Sequence, residues 1–187
     1  MSTKKRIRVG VVVGSLRRDS FNRRLAMALQ KLAPAHFEFE QLRIDDLPPY
    51  DQDDDGEQCA QVKRLKAAVS ACDGILFVSP EYNRSIPGVL KNAIDHASRP
   101  YGTSAWKGRP AGVIGTSQGA IGTALMQQHL RNVLAYLDMP TLGQPEAFVQ
   151  FKDDLVDDEG GIANDDTRKF LQGWMAAYAA WVEAHAK

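Results

Sequence analysis

RIRVGVVVGSLRRDSFNRRLAMAL, residues 6–29, reads as a buried strand, a tight polar loop and a helix. Val9, Val11, Val12 and Val13 are β-branched and follow one another almost without polar interruption, as in a strand covered on both faces. Gly14 ends the run. Beyond it Leu25, Ala28, Leu29 and Leu32 recur at helical spacing. The segment between, GSLRRDSFN, holds the small hydrogen-bonding side chains of Ser15, Ser20 and Asn22 together with Arg17 and Arg18. A helix start offers unpaired backbone N–H groups and the positive end of the helix dipole. Hydroxyls and guanidinium groups added there make a cradle for a phosphate dianion. The plainer alternative is that Ser20 or Asp19 caps the helix and the arginines are solvated charge. The loop is neither GxGxxG nor GxxxxGK[ST], so a dinucleotide fingerprint and a P-loop are not indicated.

The totals bound what surrounds this stretch. A chain of 187 residues, 44% hydrophobic and 25% charged, suits one globular domain over residues 1–187. The formal net charge of +0 gives no bulk attraction toward nucleic acid or an anionic membrane. Charge is nevertheless uneven. Lys4, Lys5, Arg6, Arg8, Arg17, Arg18, Arg23 and Arg24 crowd the first strand and helix, while residues 51–57 and 153–166 are acidic. Solvated faces explain this, and so does a positive rim for phosphorylated ligands. Cys59 and Cys72 lack C-x-x-C spacing and read as buried or idle thiols. Neither a signal-peptide pattern nor a run of membrane-spanning length is visible, so the expectation is a cytoplasmic protein. The sequon NRS at Asn83 is then chance.

Outward from the opening stretch, strand-like and helix-like segments alternate. Strand one covers about residues 6–13 and helix one about 21–32. HFEFEQLRI alternates apolar and polar residues, as an exposed edge strand does. After a Pro- and Asp-rich loop, Val62, Leu65, Lys66 and Val69 mark helix two. DGILFVSP is a buried strand, and Pro87 opens a helix lined by Leu90, Ala93, Ile94 and Ala97. RPAGVIGTS is strand four. A long helix follows with Leu125, His129, Val133 and Leu137 near one face, and MPTLGQPEAFV supplies strand five. The last helix runs from about Asp165 to His185, with Phe170, Leu171, Trp174, Tyr178 and Trp181 facing the core. The histidines do not cluster at metal spacing. His129 reads as packing and His36, His96 and His185 as surface, so no metal site is expected. Five strands alternating with five helices predict an α/β fold, a parallel sheet between two helical layers. In the flavodoxin-like strand order 2-1-3-4-5, the loops after strands one, three and four become neighbours at the carboxyl edge, where such sheets bind ligands.

Those other two loops carry their own chemistry. SPEYNRSIPG, residues 79–88, brings Glu81, Tyr82 and Asn83 to the rim and suits a flat heteroaromatic ligand; alone it would read as a turn with a surface tyrosine. GTSQGAIGT, residues 115–123, combines glycines that allow close backbone approach with Ser117 and a helix start, placed to stabilise negative charge on a reduced cofactor. GTSQG also fits the G-x-S-x-G nucleophile elbow of serine hydrolases, with Asp138 and His185 in the required chain order. That reading leaves GSLRRDSFN and PEYN without a role. DQDDDG, residues 51–56, opens like a calcium loop, but Val62 stands where a bidentate Glu belongs, so a solvated acidic loop is expected.

GSLRRDSFNRRLA, PEYNRSIPGVLKNAIDHASRP and GAIG, at their spacings, resemble the NADPH-dependent FMN reductase family, in particular its bacterial quinone reductase members, also described as chromate reductases. The likeness spans nearly the whole chain. It implies a flavodoxin-like three-layer sandwich holding FMN noncovalently. By position, Ser15, Leu16, Arg17, Ser20, Phe21 and Asn22 would hold the FMN phosphate. Pro80, Glu81, Tyr82, Asn83 and Arg84 would border the isoalloxazine, and Ser117, Gln118 and Gly119 would line its other edge. It further implies hydride transfer from NADPH or NADH through FMN to quinones or similar acceptors (chromate, azo compounds, free flavin) with ping-pong kinetics. It also implies a homodimer or homotetramer. Tyr82 is the candidate for shaping the acceptor pocket. The alternatives are a flavodoxin-type electron carrier, which would more typically be strongly acidic, a regulatory flavin sensor, and the serine hydrolase using Ser117.

Overall fold

The computed structural model describes residues 5–153 and 155–186; Lys4 and Asp154, parts of the basic and acidic clusters above, lie outside them. Strand and helix alternate as β1 (Ile7–Val13), α1 (Phe21–Leu32), β2 (Phe37–Gln41), α2 (Ala60–Ser70), β3 (Gly74–Val78), α3 (Gly88–Ser98), β4 (Ala111–Ser117), α4 (Ala124–Tyr136), β5 (Phe148–Gln150) and α5 (Asp165–His185). The sheet has the order β2-β1-β3-β4-β5, and every pairing is parallel. This is the flavodoxin-like three-layer arrangement expected from the alternation.

Burial follows position in the sheet. All five residues of central β3 are buried, whereas edge strand β2 buries Phe37 and exposes Glu38. One core lies on the α1/α5 face, around Val9, Val11, Leu25, Leu29, Trp174 and Tyr178. The other lies on the α2/α3/α4 face, around Val12, Phe77, Leu65, Leu90, Ile94, Trp106, Leu130 and Leu134. Cys72 is buried in that second core, which pushes its thiol up to about 11, and Cys59 sits half-buried at the start of α2.

The register places the functional edge. Val13 stands opposite Val78, and Val78 opposite Ile114. The carboxyl ends of β1, β3 and β4 are therefore level, and the segments that follow them leave from one rim.

Several sequence expectations are corrected. α4 does not bury Leu125 and His129; its inward face is Met126, Gln127, Leu130 and Leu134, with Val133 and Leu137 only partly covered. Both stripes have helical spacing, and the packing of α4 on the sheet selects between them. His129 is exposed and bonded to Ser85 rather than packed, while His96 is buried, its Nε2 2.9 Å from the Pro48 carbonyl. Phe170, 49% exposed, turns away from the core. β5 is shorter and later than MPTLGQPEAFV suggests, because the chain makes only an isolated bridge at Thr141 before pairing from Phe148. The acidic loop forms a short 3-10 turn over Gln52–Glu57, and no metal-binding group of His, Cys, Asp and Glu occurs among the described residues. No helix among them is long and apolar enough to cross a membrane.

Candidate active site

The first rim loop is tethered where Gly14 N–H donates to the Val78 carbonyl. Ser15 and Ser20 are buried polar residues, although Leu16, Arg17, Arg18 and Asp19 between them are exposed. Ser20 caps α1: its Oγ accepts from Arg23 N–H at 3.3 Å. Ser15 Oγ accepts from Arg17 N–H at 3.4 Å. Both hydroxyl protons remain undonated among the described residues, and so do the backbone N–H groups of Leu16, Arg18, Asp19, Phe21 and Asn22. Partly buried donors without partners are costly unless water or a ligand accepts from them. The geometry is that of an anion nest at a helix start.

The side chains around the nest are already engaged. Arg17 lies over the Phe21 ring, 4.6 Å from its centroid, and its Nε donates to the Asp19 carbonyl at 3.0 Å. Phe21 in turn stacks on Phe151 at 3.8 Å. The pile holds the guanidinium beside the nest. Asn22 is 3% exposed and clasps β4: Nδ2 donates to the Thr116 carbonyl and Oδ1 accepts from Thr116 N–H, both at 2.9 Å. Its side-chain amide thus joins α1 to the sheet through one donated and one accepted bond.

The second rim loop is a small hairpin. Tyr82 and Ser85 exchange both backbone hydrogen bonds, at 3.0 and 2.9 Å, with Asn83 and Arg84 at φ 51° and 65°. Those values define a two-residue turn of type I′. Its base is fastened to α4. Glu81 Oε2 accepts from Leu125 N–H at 3.0 Å and Met126 N–H at 3.1 Å, capping that helix with a negative charge. Ser85 Oγ and His129 Nδ1 share a hydrogen bond at 2.7 Å. Pro80 is half-buried, and the Tyr82 ring is left 51% exposed at the rim.

The third rim loop returns against the other two. A β-carbon on Gly115 would lie 2.0 Å from the Ser79 carbonyl oxygen, so only glycine lets β4 approach the end of β3 this closely. Gly122, at φ 60°, turns the chain into α4. Gln118 and Gly119 are exposed, and Gln150 Nε2 holds the Gln118 carbonyl at 3.0 Å. Ser117 Oγ donates to the Gly122 carbonyl at 2.5 Å. The hydrolase triad is not assembled. Asp138 accepts from Gly108 N–H before β4 begins, and His185 packs on Trp181, whose indole donates to the Pro140 carbonyl beside Ala111. Ser117 ends β4, so its length of about 20 Å separates the nucleophile from both partners.

The three loops meet at one edge. A cavity of about 620 Å³ flanks the first of them, lined by Val13, Ser15, Leu16, Arg23, Met27 and Arg43 among others. A separate cleft of about 280 Å³, lined by Arg99, Tyr101, Tyr136 and Asp138, lies near the start of β4 instead. Residues 7–154 match the model of the NADPH-dependent FMN reductase family. The chain belongs to this family. Among its relatives, a 2-hydroxy-1,4-benzoquinone reductase of a Burkholderia species is 53% identical over 176 residues, covering 94% of this chain and 96% of that one. A quinone reductase of Escherichia coli K12 is 37% identical over 183 residues, covering 96% and 97%. The solved structure of FerB, a flavoenzyme NAD(P)H:(acceptor) oxidoreductase from Paracoccus denitrificans, superposes with a TM-score of 0.93 at 46% identity, covering 97% of this chain and all of that one.

Membership makes the chain an FMN-dependent oxidoreductase that draws on a reduced nicotinamide. The residues present fit FMN: its phosphate monoester is the dianion that the undonated amides and serine hydroxyls of the first loop lack. Sequence reasoning found every one of these loops. It missed Phe151, Thr116 and His129 as supports of the site, since none carries a local signal and each matters only through the residue it meets.

Proposed function

We propose that this protein passes two electrons from NADPH or NADH, by way of noncovalently bound FMN, to quinones. The convergence of the three rim loops on one edge, with an anion nest in the first, carries the reading. The names borne by the Burkholderia, Escherichia coli and Paracoccus relatives support the acceptor class. Ser15, Leu16, Arg17 and Ser20 hold the phosphate through backbone amides, hydroxyls and the fixed guanidinium. Phe21 and Asn22 add their unpaired backbone amides, while their side chains act behind the nest, on Phe151 and Thr116. Pro80 and Tyr82 border one edge of the isoalloxazine, with Glu81 and Asn83 shaping the loop that carries them. Ser117, Gln118 and Gly119 line the other edge.

FMN, when bound, supplies the hydride chemistry; the protein supplies position and electrostatics. No side chain of the three loops is needed as a general acid. The Gly-rich third loop supplies backbone N–H groups at the rim, where a reduced ring gains negative charge, while the first amides of α4 are already taken by Glu81. Nicotinamide and quinone use the same exposed space in turn, which gives ping-pong kinetics. Tyr82 shapes that space. A single domain over residues 1–187 carries the activity, in a cytoplasmic homodimer or homotetramer. The exposed apolar side chains of Tyr82, Ile121 and Leu125 beside the rim favour a subunit contact there.

The test is an anaerobic NADPH titration of FMN-loaded protein, followed by one addition of benzoquinone. Bleaching of the flavin by NADPH and prompt recovery with quinone are expected, with parallel double-reciprocal plots in steady state. Bound flavin that NADPH leaves oxidised would instead identify a carrier or sensor. Protein that retains no flavin would overturn the reading.

A further inference from the structure

Arg84 stands at the second corner of the type I′ turn, at φ 65°. That corner strongly favours glycine, because a β-carbon in the left-handed region crowds the following carbonyl. Asn83, at the first corner, is a residue that tolerates the conformation. An arginine in its place keeps a steric cost that glycine would remove. Such strain persists where the surroundings over-determine the backbone, and here they do. Both backbone bonds between Tyr82 and Ser85 are made. Glu81 is bound to two amides of α4, and Ser85 to His129 on the same helix.

The side chain on this rigid stalk is exposed and makes no hydrogen bond or ion pair with any described residue. Of the other rim arginines, Arg18 is likewise exposed with a side chain that makes no hydrogen bond or ion pair among the described residues, and three are engaged. Arg17 holds the Asp19 carbonyl and the Phe21 ring, Arg23 the Arg18 carbonyl, and Arg43 the Asp45 carboxylate. Arg84 is an unpartnered guanidinium on a fixed backbone corner, two residues from Tyr82 on the loop that carries both. The FMN phosphate is already provided for in the first loop. The nicotinamide substrates bring further phosphates, and NADPH differs from NADH by its 2′-phosphate monoester alone. A guanidinium matches that dianion with two parallel N–H···O bonds.

We propose that Arg84 recognises the 2′-phosphate of NADPH and so sets the preference for NADPH over NADH. The inference rests on the nicotinamide-oxidising function proposed above. The strained corner and the ligand contact make opposite demands on this residue, and Arg84→Gly separates them.

FMN-loaded wild type, Arg84→Gly, Arg84→Lys and Arg18→Ala are compared by anaerobic stopped-flow reduction with NADPH and with NADH. Binding of 2′,5′-ADP and of 5′-AMP is measured by calorimetry, and melting temperature by circular dichroism. Arg84→Gly is expected to lower the NADPH-to-NADH ratio of reduction efficiencies by about tenfold or more, the usual worth of a hydrogen-bonded charge pair. It should weaken 2′,5′-ADP by a similar factor relative to 5′-AMP, while the melting temperature stays level or rises by up to about 3 °C. Arg84→Lys should recover part of the ratio. The proposal is overturned if the ratio in Arg84→Gly stays within about twofold of wild type, if NADH loses as much as NADPH, or if Arg18→Ala carries the loss instead. Wild-type flavin reduced by neither nucleotide would overturn the underlying function, a result distinct from a variant that fails to discriminate.

Discussion

The first and second rim loops are of similar length, and both follow a buried parallel strand. The first leaves the amides of Leu16, Arg18, Asp19, Phe21 and Asn22 without acceptors and keeps the Ser15 and Ser20 hydroxyl protons undonated. The second closes on itself through both Tyr82–Ser85 backbone bonds and is tied to α4 through Glu81 and Ser85. An unmatched donor wants an anion, so the first loop is built to bind through its backbone. A loop whose backbone is matched can offer only side chains, and the second presents Tyr82 and Arg84. Under the proposed function, this difference assigns cofactor retention and substrate choice to different loops of one rim.

The largest effect is expected at the clasp that ties the helix of the first loop to β4. Asn22→Ala removes two buried hydrogen bonds and strands the Thr116 N–H and carbonyl groups, which costs about 2–4 kcal/mol. Urea unfolding should show a lower midpoint with an unchanged slope. An Asn22→Ala protein of wild-type stability that had lost FMN would break the comparison, because Asn22 would then be a ligand contact.

Glu81→Ala uncaps two amides of α4 and frees the base of the hairpin. A loss of about 1–2 kcal/mol in stability is expected. Acceptor kcat/KM should change by about tenfold, whereas FMN affinity, measured by fluorescence titration, should move less than about threefold.

Ser15→Ala should do the reverse. Loss of one charge-assisted hydrogen bond weakens FMN by about tenfold, with the melting temperature of the apoprotein nearly unchanged. If acceptor kinetics moved while FMN affinity did not, the division between the loops would fail.

The smallest change is expected from Tyr82→Ala. Removing the exposed ring takes away an aromatic contact worth about 1 kcal/mol, so quinone KM should rise about fivefold without loss of FMN. Quinone kinetics unaltered by this substitution would remove Tyr82 from the acceptor pocket.

Much of this architecture is written locally. The valine run of β1, the stop at Gly14 and the leucine spacing of α1 each depend on neighbours a few residues apart, and both elements end within a residue of where the pattern places them. α5 is equally legible: Asn164 caps it through Thr167 N–H, and its apolar spacing carries it to His185. The unpaired donors of the first loop were legible for the same reason, since a helix start and its polar residues belong to one stretch of chain.

What failed to show in the sequence depends on partners far away in it. Leu125–His129–Val133–Leu137 and Met126–Leu130–Leu134 are equally good stripes on one helix, and only the sheet beneath α4 selects the second. Nothing local in PEYN shows that the Glu81 carboxylate meets α4, more than forty residues later, where two amides donate to it. The Asn22 side chain looks like part of the cradle until Thr116, 94 residues away, takes both ends of its amide and leaves the backbone N–H alone at the nest. Local spacing, through propensity and periodicity, determined which segments are strands and helices and where a polar loop meets a helix start. Long-range pairing alone decided which polar groups were left over to bind it, because a donor is available only when every other acceptor in the folded chain has been placed.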